Sequence, residues 1–271
     1  MIKQAIIPLA GLGTRLLPLT SVIPKELLPI NGKPGLEYIL DECVQSGIKE
    51  IILIISKNKI MIKHYFNKEQ FYKKIFKKKI DKRILKEYKK IQKYKIMIKF
   101  VYQNKPHGTG DAVLKTKNLI KGKHFLMLLP DDLILLNNFS KRIISVNNKY
   151  KSSVIASMNV NKNNVSRWGI FKIKHKLSNN NFLIEDVIEK PSVKRAPSNK
   201  AIIGRYILPK SIFNKLKNQN KGKGGEIHIT DAIKSLLLNK NKFIGHVFTG
   251  KYLDCGTMNG YIKSSNKISK I

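Results

Sequence analysis

Hydrophobic and polar positions along the chain fall into two kinds of run. Short, nearly unbroken apolar stretches at residues 4–9 (QAIIPL), 50–56 (EIILIIS), 96–102 and 124–129 (HFLMLL) read as strands buried on both faces. Amphipathic stretches separate them. One helix is predicted over 34–46, stopped by Gly47, and others over 59–66, 69–93 and 108–119. A further strand is predicted over 153–160. This βαβ rhythm predicts an α/β, Rossmann-like fold with a mostly parallel mixed sheet flanked by helices. Beyond residue 160 the pattern changes. Residues 168–173 and 182–189 read as antiparallel strands joined by the asparagine-rich turn 179–181. A strand over 201–208 precedes a helix started by Pro209. A helix over 230–238 with Thr230 or Asp231 near its N-terminus, a strand over 244–249 and a last helix over 257–268 complete the expectation. With no internal repeat and no long linker, one domain over 1–271 is expected, built from halves 1–160 and 161–271.

Composition narrows this little. The 271 residues are 42% hydrophobic, enough to bury one large core. No run of 18 apolar residues exists, so no membrane span is expected. Met1-Ile2-Lys3 followed by AIIPLAGLG lacks the polar spacer and cleavage site of a secretory signal. Cys43 and Cys255 have neither metal-ligand spacing nor a disulfide framework, which suits a reducing, cytoplasmic setting.

Charge changes the picture more. Lys and Arg number 53 against 17 Asp and Glu, a formal net of +36, and such a field attracts polyanions. The densest stretch is 73–99; read as a helix together with the residues just before it, it carries Phe71, Ile75, Ile80, Ile84, Leu85, Tyr88 and Ile91 on a roughly continuous face among lysines. The lysine excess accompanies an excess of isoleucine and asparagine, as in VNKNNV, which fits AT-rich codon bias. A solvated amphipathic helix is therefore preferred over a nucleic-acid arm. No zinc-finger, KH or RNP motif is present, and no specific nucleic-acid partner is expected.

The chemistry concentrates in residues 8–30, PLAGLGTRLLPLTSVIPKELLPI. A strand runs into a loop holding Gly11, Gly13, Thr14 and Arg15, with Lys25 between two prolines. Glycines let the loop turn sharply and bring backbone N–H groups to an anion. Arg15 adds a planar fork of donors and Lys25 a point charge. The dinucleotide fingerprint is excluded by Leu16 at its third small position and by Pro18, which interrupts the required helix. The P-loop is excluded because no lysine follows the glycines directly. A nucleoside triphosphate is the expected anion.

AGLGTRLLPLT, IPKELLPI and Lys33-Pro34 together resemble the signature of sugar-1-phosphate nucleotidylyltransferases, and in detail that of bacterial UTP–glucose-1-phosphate uridylyltransferases. The resemblance continues in LLPDD, EKP, AIIGRYIL, GEIHITDAI and DCGT. It implies a nucleotide-diphospho-sugar transferase fold, with a nucleotide half (1–160) and an antiparallel sugar-phosphate half (161–271). It also implies formation of UDP-glucose and pyrophosphate from UTP and glucose 1-phosphate, with Mg²⁺ as cofactor and a homodimer or homotetramer as the assembly.

Site residues follow from the same resemblance. Arg15 and Lys25 are the expected catalytic cations, and Ala10, Gly11, Gly13, Thr14, Gln103 and Gly108 the expected nucleotide contacts. Gln103 offers both an amide donor and an acceptor for the imide edge of uracil. Asp131 and Asp254 are the expected metal ligands, with Asp132 as a supporting group. A competing account makes Asp254 the cap of the last helix. Gly169, Glu189, Lys190 and Glu226 are expected to hold the sugar phosphate, and Gly204-Arg205-Tyr206 matches the same half of the pattern. Asp231 is expected either to organise the sugar end or to cap its helix, and His228 to be structural. The chain departs from the pattern at Asp111, where these uridylyltransferases commonly carry histidine. A dTTP-dependent thymidylyltransferase is the alternative enzyme, and a basic nucleic-acid-binding module the alternative of another class.

Overall fold

The structure, a computed structural model, describes residues 1–78, 81–135 and 138–270. Strand β1 (Gln4–Pro8) leads into the long glycine loop, which ends in a two-stranded hairpin of β2 (Pro29–Ile30) and β3 (Lys33–Pro34). Then follow α1 (Gly35–Gln45), β4 (Glu50–Ile55), α2 (Ile60–Phe66), α3 (Glu69–Lys78), α4 (Lys82–Met97) and β5 (Ile98–Tyr102). Next come α5 (Thr109–Leu114), β6 (His124–Leu128), β7 (Asp132–Leu135), α6 (Phe139–Tyr150) and β8 (Ser153–Asn159). The second half holds β9 (Gly169–Lys176), β10 (Asn181–Glu189), β11 (Lys200–Pro209), α7 (Ile212–Lys217) and α8 (Ile229–Leu238). It closes with β12 (Phe243–Val247), β13 (Lys251–Asp254) and α9 (Met258–Ile268).

Among the described residues, one nine-stranded sheet in the order β5-β4-β1-β6-β11-β8-β12-β10-β9 runs through both halves of the chain. The strands β5, β4, β1 and β6 are parallel, as their helical crossovers require. β11 lies antiparallel between β6 and β8, and β12 is parallel to β8. β9 pairs antiparallel with β10 and also touches β11, so that edge of the sheet folds back on itself.

Alternation within the strands explains the layers. Ala5, Ile7, Leu53, Leu126 and Leu128 point into one core with α1, α2, α4 and α6; Ile6, Ile52, Ile54, Phe125 and Met127 point into the other with α5, α7 and α8. Both faces are covered, which is why these strands are continuous apolar runs.

Several boundaries differ from the sequence expectation. The helix expected over 69–93 is two helices: Asp81 caps α4, its carboxylate accepting from the N–H groups of Arg83 (2.7 Å) and Ile84 (3.1 Å). Ile80, assigned to the apolar face of that helix, lies outside the described residues. Of the other face residues, Ile91 is buried whereas Phe71 is exposed. Helix α4 also runs through Ile96, which was assigned to the following strand. β11 continues through Pro209, because proline at a strand terminus costs only one N–H, and the helix begins at Ile212. Helix α6, capped by Asn138, was not anticipated at all. A second small sheet, β7 with β13, pairs Asp132 with Asp254 in register and so carries the metal-candidate segments side by side.

Candidate active site

The site forms beyond the C-terminal ends of β1 and β6, where ligands sit in open α/β sheets. The glycine loop leaves β1 at Leu9, whose N–H donates to Ile54 O at 2.7 Å. Gly13 has φ +73°, a left-handed conformation that disfavours any side chain. Thr20 Oγ1 donates to Gly13 O at 2.8 Å and closes the turn. Around Gly11 a Cβ would meet nothing within 4 Å, so open space, not packing, surrounds it.

Lys25 stands on a one-turn 3-10 helix, Lys25–Leu27. The turn is pinned from behind: buried Lys59 donates to both carboxylate oxygens of buried Glu26 at 2.8 Å. Burial lowers the Lys59 ammonium's pKa by more than Glu26 restores. The Lys25 ammonium reaches across to donate to Asp131 Oδ2 at 2.9 Å, and Arg15 Nη2 lies 3.5 Å from the same oxygen. Burial opposes ionisation of Asp131, but the Lys25 charge and hydrogen bond outweigh it and hold the carboxyl below its usual range. Burial also opposes the charge on Lys25, and Asp131 and Glu26 more than offset it.

Asp132 faces the other way. Its carboxylate accepts from Tyr252 Oη at 2.5 Å and from the Gly204 N–H at 2.7 Å. Burial and the Asp131 charge push its carboxyl up to about 6. A Cβ at Gly204 would stand 2.5 Å from Asp132 Oδ2, so glycine is required for that approach. Arg205 is not a ligand-facing residue as its motif suggested. Fully buried, it donates from Nε and Nη2 to Glu42 and from Nη1 to Leu129 O at 3.2 Å, bracing the turn that carries Asp131.

Asp254 is not the cap of α9. Thr257 takes that place, its hydroxyl accepting from the Gly260 N–H, while Asp254 Oδ1 accepts from the Gly256 N–H at 2.9 Å. Arg167 Nη2 pairs with Asp254 Oδ2 at 3.2 Å. Asp131 Oδ2, Arg15 Nη2 and Asp254 Oδ1 converge beside Gly256: a Cβ there would lie 2.9, 3.1 and 3.2 Å from them. Among the described residues no three His, Cys, Asp or Glu side chains gather into a metal site. Two carboxylates converging on one point nonetheless fit Mg²⁺, which takes one or two carboxylates and completes its shell with phosphate oxygens and water.

Two cavities meet at Asp131, Leu129 and Thr109. One, of about 410 Å³, is lined by Ala10, Gly11, Gly13, Thr14, Lys25 and Gln103, with Gly108 also on its wall. The other, of about 260 Å³, is lined by Arg15, Arg167, Gly169, Glu189, Tyr206 and Asp254. Gly169 pairs with Glu189 in the β9–β10 ladder, and a Cβ there would stand 3.1 Å from Glu189 Oε2. Glu226, expected at the sugar end, lines the first cavity, and His228, expected to be structural, lines the second. Lys190 is exposed at the end of β10 and lines neither. Asp231 sits in the first turn of α8 without capping it and is 3.5 Å from Gln219 Nε2. Gly108 has a reason beyond ligand approach. With φ +97°, its Cβ would lie 2.6 Å from Ile227 O, and the flanking His107 O and Gly110 N–H bond to Ile227 at 2.8 Å.

Sequence reasoning missed Arg167, Glu26 and Lys59. Arg167 adjoins the Trp168-Gly169 segment and Glu26 adjoins Lys25, but only folding shows that one meets Asp254 and the other Lys59.

Residues 4–271 match the model of the nucleotidyl transferase family. The chain belongs to that family. A UTP–glucose-1-phosphate uridylyltransferase of Streptococcus pyogenes is 37% identical over 97% of this nucleotidyl transferase and 89% of its own length. A crystal structure of a UDP-glucose pyrophosphorylase complexed with UDP-glucose superposes with a TM-score of 0.88 at 36% identity, covering 100% of this chain and 99% of the other. A UTP-bound enzyme of the same kind from Acinetobacter baumannii gives 0.89 at 33% identity, covering 99% and 93%. Both superpositions span the mixed sheet and its flanking helices, so the α/β class read from the apolar pattern holds for this nucleotidyl transferase.

Proposed function

We propose that this nucleotidyl transferase is a UTP–glucose-1-phosphate uridylyltransferase. A phosphate oxygen of glucose 1-phosphate attacks the α-phosphorus of UTP in line, a new P–O bond forms, the bond to the β-phosphate bridging oxygen breaks, and pyrophosphate leaves. The observation that carries this reading is the pair of cavities meeting at Asp131, one walled by the glycine loop and the other by Glu189 and Gly169. Two substrates held there present their phosphates to each other at the shared wall.

The reaction brings two anions together, so the protein's task is charge neutralisation and alignment. Lys25 and Arg15 supply positive charge where the cavities join, and Lys25 is held in place through its neighbour Glu26. Gly11, Gly13 and Thr14 leave room for the triphosphate, and Ala10, Gln103 and Gly108 border the base. Glu189 receives sugar hydroxyls, and Gly169 gives its carboxylate room. Lys190 contacts the sugar phosphate only if its side chain turns inward, and Glu226 acts from the nucleotide side. Asp131 and Asp254 would hold Mg²⁺. When bound, the ion neutralises phosphate charge and fixes phosphate orientation.

A cytoplasmic homodimer or homotetramer completes the reading. No described helix is long and apolar enough to cross a membrane. Pyrophosphate release from UTP and glucose 1-phosphate, dependent on Mg²⁺, tests the proposal. Preference for dTTP over UTP by about tenfold or more would move the assignment to a thymidylyltransferase. Light scattering tests the assembly.

A further inference from the structure

Gln103 is buried at the end of β5, and its backbone N–H donates to Ile55 O at 2.9 Å. Its side-chain Nε2 donates to Asp111 Oδ2 at 2.7 Å and to Gly108 O at 3.1 Å. Both partners are acceptors: a carboxylate and a backbone carbonyl can take protons and offer none. Two acceptors around one end of an amide decide which end is nitrogen. The carbonyl end, Oε1, is thereby left as the group the side chain offers elsewhere, and the amide donor expected from the sequence to meet uracil as well is spent on Asp111 and Gly108. Asp111 is itself held, because Lys115 Nζ lies 3.5 Å from its other oxygen, one helical turn along α5.

We propose that Asp111 is a positioning residue for base selection. Its carboxylate locks the Gln103 amide so that an acceptor, not a donor, faces the base. An acceptor in that place matches the N3–H of uracil or thymine. It opposes cytosine, whose N3 is itself an acceptor, and two facing acceptors cost more than a lost bond. Without Asp111 only Gly108 O restrains the amide, and the flipped form that could donate to cytosine becomes accessible. This rests on the reading that Gln103 contacts the base.

Initial rates and equilibrium titrations with UTP and CTP, on the wild type and on Asp111→Ala, Asp111→Asn and Gln103→Leu, test it. In Asp111→Ala the ratio of kcat/KM for UTP over CTP should fall about tenfold or more, through a higher KM for UTP, with kcat at saturating UTP little changed. Asp111→Asn keeps an acceptor oxygen and should retain an intermediate ratio, which also guards against a folding defect specific to alanine. A general loosening of the loop would weaken both nucleotides equally and leave the ratio unmoved. An unchanged ratio in Asp111→Ala with a collapsed ratio in Gln103→Leu overturns the role of Asp111 while leaving the base site standing. An unchanged ratio in Gln103→Leu, or no preference in the wild type, overturns the base-site reading itself.

Discussion

The Lys25 ammonium donates to Asp131 Oδ2 at 2.9 Å, joining residues 106 positions apart in the chain. The cation assigned to the phosphates therefore rests, in this structure, on the carboxylate assigned to the metal. The pair neutralises itself until phosphates and a cation enter, and each member holds the other's geometry in the meantime. Lys25→Met should lower kcat by about 10²-fold or more with little change in the melting temperature, since Glu26 and Lys59 still pin the turn. Pyrophosphate release and a thermal melt check this; near-normal turnover in a folded variant would remove Lys25 from the chemistry.

That relationship shows what was legible in the sequence. The loop's glycines, Arg15 and Lys25 form one contiguous motif, so local pattern sufficed to find them. The continuous burial of β1, β4 and β6 was legible for the same reason, because both faces demand apolar residues. Arg205 was harder. Arg205 stands in a motif that suggests ligand contact, but its partner Glu42 lies 163 residues away, and nothing near either residue announces the other. The helix break at Asp81 was legible in principle, since an aspartate before a basic helical run is a capping signal. Helix α6 shows the opposite failure: its buried Phe139, Ile143 and Ile144 have helical spacing, but polar residues crowd its ends.

Gly256 separates the two carboxylates assigned to the metal. A methyl group there would project to within 2.9 Å of Asp131 Oδ2, 3.1 Å of Arg15 Nη2 and 3.2 Å of Asp254 Oδ1, crowding both carboxylates and the guanidinium beside them. Gly256→Ala should raise the Mg²⁺ concentration giving half-maximal rate by about tenfold, and lower kcat further, while the fold persists. Titration of the rate with Mg²⁺ reads this directly. An unaltered Mg²⁺ dependence would mean the cation is not held between Asp131 and Asp254.

Asp41 makes a prediction about pH. Tyr94 Oη donates to its carboxylate at 2.5 Å, and Lys33 Nζ at 2.7 Å, tying α1 to α4 and to β3. Burial raises the carboxyl's pKa, but these two hydrogen bonds and the Lys33 and Lys90 charges outweigh it, so its folded pKa is lowered. A lowered folded pKa means stability that is present above the unfolded carboxylate value of about 3.9 and is lost as pH falls through the folded pKa. Asp41→Asn should therefore melt about 2–4 °C below the wild type at pH 7, and the difference should shrink once pH falls below about 3.9 and through the lowered folded pKa. A difference that is constant across that range would show that the carboxylate's charge contributes nothing.

Glu42 and Arg205 form a buried ion pair whose members also serve other partners. Glu42 Oε1 accepts from Ser140 Oγ at 2.5 Å on α6, and Arg205 Nη1 donates to Leu129 O ahead of Asp131. Removing one member leaves an uncompensated buried charge, so Arg205→Met should cost about 3–5 kcal/mol in urea unfolding. Replacing both, with Glu42→Leu added, removes the stranded carboxylate and should restore most of that loss. Catalysis should not recover with it, because the Leu129 carbonyl still lacks its donor and the Asp131 turn its brace. A double variant regaining both stability and turnover would show that Arg205 serves the core alone. Regained stability with kcat still depressed would place Arg205 among the residues that position Asp131.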